Sequence, residues 1–135
     1  MTATVSESAA ALKVALLAVP QLRVADFIPD NPSAPMAVVG ISNVTYHRAF
    51  AGGDAVHEFI VTVMVGRESE RSAQTRLDGF LSWDGPQSIR AAIEEDPTLG
   101  NVVETVLVEK GGNVNLVTIG DSTFLTVEFT VMVHP

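Results

Sequence analysis

Two long stretches of the chain alternate apolar and polar side chains with a period of two, and this commits most of the polypeptide to a sheet. In the first, His57, Phe59, Val61, Val63 and Val65 fall on one face and Glu58, Ile60, Thr62 and Met64 on the other. In the second, Thr123, Leu125, Val127, Phe129, Val131 and Val133 share a face, against Thr126, Glu128 and Thr130. Valine dominates both, and branching at Cβ suits a pleated, half-buried surface.

Other segments extend this sheet. Met36 to Gly40 reads as a buried strand, and the residues after it alternate larger side chains at Val44, Tyr46, Arg48 and Phe50. Ala51-Gly-Gly-Asp54 supplies a turn, so the two strands around it form a long hairpin, only part of which is needed to cover a core. Tyr46, Arg48, Phe50, Gly52 and Gly53 are therefore the candidate interface residues, with the aromatic pair as apolar contact area and the glycines as a pliable tip. Toward the C-terminus, Val102 to Glu109, Val114 to Ile119 and Thr123 to Val133 read as strands, divided by Gly111-Gly112-Asn113 and by Gly120-Asp121.

Elsewhere the period becomes helical. Thr4-Val5-Ser6-Glu7 fits a capping box, and Leu12, Leu16 and Val19 then make one apolar stripe that stops before Pro20. Leu22 to Phe27 is short and partly alternating, and Ile28 to Pro35 is a proline-rich loop. Ala73, Leu77, Phe80 and Leu81 mark a second helix. Trp83-Asp-Gly-Pro86 interrupts it, and Pro86 suits the first turn of a short third helix with Ile89, Ala92 and Ile93 inward and Pro97 as its end. Helices bracketed by strands predict an α+β fold: a mostly antiparallel sheet, helices packed on one face, and a long protruding hairpin. At 135 residues, with no internal repeat or linker, the chain reads as one domain spanning 1–135.

The chemistry is sparse. A net charge of −8 without a Lys/Arg cluster argues against nucleic-acid binding, and the absence of cysteine removes thiol catalysis and thiolate metal sites. No apolar run has the length of a membrane span, and the start lacks the pattern of an export signal. His47, His57 and His134 have no zinc-ligand spacing, although strand pairing can bring His57 near His134. Glu94-Glu95-Asp96 can hold a hard cation only if the backbone turns the carboxylates inward; on a helix such a run is ordinarily a solvated face. Gly52-Gly53 and Gly111-Gly112 lack a phosphate-loop lysine and read as turn glycines. No catalytic, cofactor-binding or metal site is expected.

Taken in order, Val19-Pro-Gln-Leu-Arg-Val24, Asp26-Phe-Ile-Pro-Asp30, Pro35-Met-Ala-Val-Val-Gly40, Thr45-Tyr-His-Arg-Ala-Phe50, Val63-Met-Val-Gly-Arg67, Gln74 to Leu81 and Ser88 to Gly100 resemble the tail terminator proteins of long-tailed phages, particularly those of actinobacteria. The likeness covers nearly all of the chain after the first helix. It implies a structural, non-enzymatic subunit that forms a homo-oligomeric ring, usually hexameric, on the last ring of tail-tube protein. Such a ring stops tube growth and offers a surface to the head–tail connector protein. It implies assembly in the host cytoplasm, a place at the head-proximal end of the virion tail, no cofactor, and a lumen through which DNA passes without specific binding. Another head–tail connector or tube-related protein is the nearest alternative. A small hydrolase or isomerase using His57, His134 and a carboxylate is the alternative of another class.

Overall fold

The computed structural model describes residues 3–25, 35–46, 55–67 and 71–135. Its elements are α1 (Val5–Leu16), β1 (Arg23–Ala25), β2 (Met36–Tyr46), β3 (Ala55–Arg67), α2 (Ser72–Leu81), α3 (Ile89–Glu94), β4 (Thr105–Ile119) and β5 (Ser122–His134). The strands form one five-stranded sheet in the order β1-β2-β3-β5-β4. Only the short β1–β2 pair is parallel; the three longer ladders are antiparallel. The chain is a mixed α+β fold.

Helix α1 starts where its sequence says it should. The Thr4 hydroxyl accepts from the Glu7 amide and the Glu7 carboxylate accepts from the Thr4 amide, both at 3.1 Å, so two otherwise unpaired donors are satisfied. Leu12, Leu16 and Val19 are buried beneath it. Leu77 and Phe80 of α2 and Ile89 and Ile93 of α3 join the same apolar cluster, which the sheet completes with Phe59, Val61, Val63, Val127, Phe129 and Val131. All three helices therefore pack on one sheet face. A smaller cluster of Met36, Met64 and Phe124 lies on the opposite side, as alternation from the paired residues Ala37 and Val63 requires.

Three boundaries differ from the sequence reading. Gly111-Gly112-Asn113 is no turn: β4 runs unbroken through it, because the uninterrupted β5 offers ladder partners along its whole length. The turn chemistry is absorbed as a bulge between Gly112 and Asn115. Asn113 takes the left-handed conformation there (φ 54°), and its side-chain amide donates to Glu128. The real hairpin turn is Gly120-Asp121, between the paired Ile119 and Ser122, with Gly120 at φ 63°.

The third helix begins at Ile89 and not at Pro86. Its cap is Ser88, whose Oγ accepts from the Ala91 amide at 3.1 Å and donates to the Ser82 carbonyl at 2.6 Å, tying α3 to the end of α2. Likewise Val102 and Val103 donate to the Thr98 carbonyl, so they belong to the turn after α3, and β4 starts at Thr105.

Candidate assembly surface

Of the five interface candidates, Tyr46 is described; Arg48, Phe50, Gly52 and Gly53 lie outside the described residues. Tyr46 ends β2 and pairs with Ala55, the first residue of β3. Strand β1 covers only Met36 to Val38, so from Val39 to Tyr46 the outer edge of β2 has no strand partner among the described residues. A bulge between Ile41 and Asn43 resets the alternation. Beyond it Val44 stands opposite His57 and Tyr46 opposite Ala55, on the sheet face that carries the helices. Ile41 is 48% exposed and Tyr46 72% exposed, whereas Phe59, opposite Ile41, is buried. The far half of β2 thus presents exposed apolar side chains next to a row of backbone donors and acceptors that have no neighbouring strand among the described residues.

His57 and His134 do not form a pair, and His47 lies outside the described residues. His57 is in register with Val133, so His134, the next residue along β5, leaves the sheet on the opposite face. His57 is buried, its ring meets Phe59 edge-on at 6.2 Å between centroids, and its Nδ1 has no hydrogen-bond partner among the described residues. Burial lowers its pKa below the usual 6.5. The fold therefore holds the neutral imidazole. Below the unfolded-state value the unfolded chain takes up the proton first, so stability is whole above about pH 6.5 and falls as the pH drops toward the depressed native value. Denaturant melts at about pH 7 and about pH 5 should show wild type losing more stability than His57→Leu. Equal losses in the two proteins would mean that His57 is not held neutral.

The carboxylates of Glu94 and Asp96 diverge. Glu94 Oε2 accepts from the Val108 amide at 2.9 Å, bolting α3 to β4, while its Oε1 lies 3.4 Å from Arg90 Nη2. Asp96 turns the other way. It accepts from the Thr98 amide, the Thr98 hydroxyl and the Gly100 amide, and these bonds, the Thr98 hydroxyl foremost, hold its pKa below the usual carboxylate value. The Asp96 turn holds Leu99 buried at φ 50°, a conformation that costs a bulky residue about 1–3 kcal/mol. Among the described residues no group of three or more His, Asp or Glu side chains could hold a metal ion.

Sequence reasoning missed one ordered surface feature. Trp83, read as part of an interruption, is 74% exposed, and the Arg90 guanidinium lies 3.6 Å from its ring centroid while Nη1 donates to the Trp83 carbonyl at 2.8 Å. The only local signal was the i, i+4 spacing of Arg90 and Glu94.

What the geometry defines is an α+β domain with a strand edge that the described residues leave unpaired, exposed apolar residues along it, and no helix among the described residues long and apolar enough to cross a membrane. Compared with known proteins, the chain matches no family model and no curated sequence at a significant level.

Proposed function

We propose that this chain is a structural virion subunit of the tail-terminator type, which assembles into a hexameric ring, caps the tail tube and presents a surface to the head–tail connector. The observation that supports it best is the far half of β2, where exposed Ile41 and Tyr46 accompany a strand edge that the chain's described residues leave unpaired. In a closed ring each subunit's free edge and apolar patch would be covered by its neighbour, which is how an exposed edge is kept from open-ended association. The ordered resemblance to tail terminators of nearly all of the chain after the first helix agrees with this use of the surface. On this reading the hairpin that contains Tyr46, Arg48, Phe50, Gly52 and Gly53 is the assembly element, and the protein has no catalytic site.

The direct test adds purified protein to polymerising tail-tube protein of the same phage and follows tube length by electron microscopy. Growth should stop, with added density at one tube end. Tubes that lengthen unchanged and bear no cap would contradict the proposal.

The charge adds a second expectation. A lumen built from a chain of net charge −8 would repel phosphates and let the duplex slide. The purified protein should accordingly show no measurable duplex affinity at physiological salt in a filter-binding assay, and tight retention of DNA would exclude this account of the lumen.

A further inference from the structure

We infer that the groove between α1 and α3 docks an apolar segment of a partner protein that carries lysine or arginine at its edge. The groove encloses about 640 Å³, within the roughly 300–1,000 Å³ range of binding sites. Its walls are Ala15 of α1, Ala18 from the turn just after it, Ala92 and Ile93 of α3, and Leu99 from the turn that follows; exposed Val14 and Val102 continue the apolar surface at its mouth. The small α1 side chains leave room for a backbone or a large apolar side chain to approach closely. The floor is also firmly set, because Leu99 is held in its left-handed conformation by the bonds to Asp96.

Charge selects the occupant. The lining charges are Glu95 and Asp96, both exposed, and Glu7 stands one turn before Ala11 on the same side of α1. Lys13 is on the opposite side of that helix by its spacing from Ala11 and Ala15. Two copies paired groove to groove would set one carboxylate rim against another, whereas a segment with cationic flanks satisfies both the apolar walls and the acidic rim. This inference does not rest on the ring reading, and its readout is separate from tube capping.

The test titrates the full chain with a synthetic amphipathic helical peptide bearing leucine on one face and lysine at the flanks, and with a version carrying glutamate at those flanks, following the methyl resonances of Val14 and Val102. The lysine peptide should shift both resonances and bind at least about tenfold tighter than the glutamate peptide. Ala15→Gln should block the groove. Val14→Lys, a change at an exposed position that keeps the fold intact, should weaken binding similarly, and Glu95→Lys should reverse the charge preference. Absence of binding, equal binding of the two peptides, or concentration-dependent self-association that Val14→Lys abolishes would each overturn the inference.

Discussion

Replacing Phe129 with alanine should destabilise the fold by about 3–5 kcal/mol in a denaturant melt, a large part of the roughly 5–15 kcal/mol that holds a domain together. Phe129 is buried at the centre of β5, paired with Val61 on one side and Gly111 on the other. Its ring occupies the space above the glycine: a Cβ added at Gly111 would meet Phe129 Cε1 and Leu81 Cδ2 at 2.8 Å each. Glycine in mid-strand is costly by itself, and an aromatic ring laid over it restores the lost packing. The two positions should therefore be coupled with a change of sign. Gly111→Ala should cost about 1–3 kcal/mol in the wild type by overpacking, yet stabilise Phe129→Ala by filling part of its cavity. If the two changes simply add, the ring does not depend on that glycine.

Joining Tyr46 directly to Ala55 through an Asn-Gly turn, with residues 47–54 removed, should leave a folded monomer that no longer assembles. Tyr46 and Ala55 are cross-strand partners, so a two-residue hairpin turn can close the ladder without changing its register. The core residues of β2 and β3, Ala37, Val39, Phe59, Val61 and Val63, lie well inside that closure and should keep their packing. On the proposed function this variant retains the wild-type unfolding midpoint to within a few degrees but loses ring formation and tube capping altogether. Normal capping by the shortened protein would show that residues 47–54 are not the assembly element.

The parts of the fold that could be read from the sequence are those set by local rules. Thr4 and Glu7 announce a helix start because their reciprocal bonds need only four consecutive residues. The alternation through β3 and β5 announces buried faces because a period of two is a property of one strand. Leu125 shows the limit of that logic: it shares the expected face but is only partly buried, since it lies near the end of the layer. Gly111-Gly112-Asn113 misled because its local preference for a turn is overruled by pairing with a strand that is continuous opposite it. Ser88 was overlooked beside Pro86, although its hydroxyl serves both helix ends at once.

The candidate surfaces were less legible, for a common reason. The groove is assembled from α1, α3 and the Asp96 turn, whose lining residues run from Ala11 to Val102 in the chain, and no short motif records such a meeting. The exposure of Ile41 follows from where the helical layer ends, which alternation alone does not specify. Tyr46 was legible as an apolar residue on a long hairpin, whereas the stacking of Arg90 on Trp83 depends on the geometry between α2 and α3.

The most direct test of the proposed function is the mass of the purified protein in solution, measured by light scattering alone and after mixing with tail-tube protein. A ring-forming terminator should add about six times the 14.3 kDa of one chain to each capped tube end and leave the free single-chain fraction correspondingly depleted. A protein that remains at the mass of one chain in both measurements, with tube ends present and uncapped, would contradict the account.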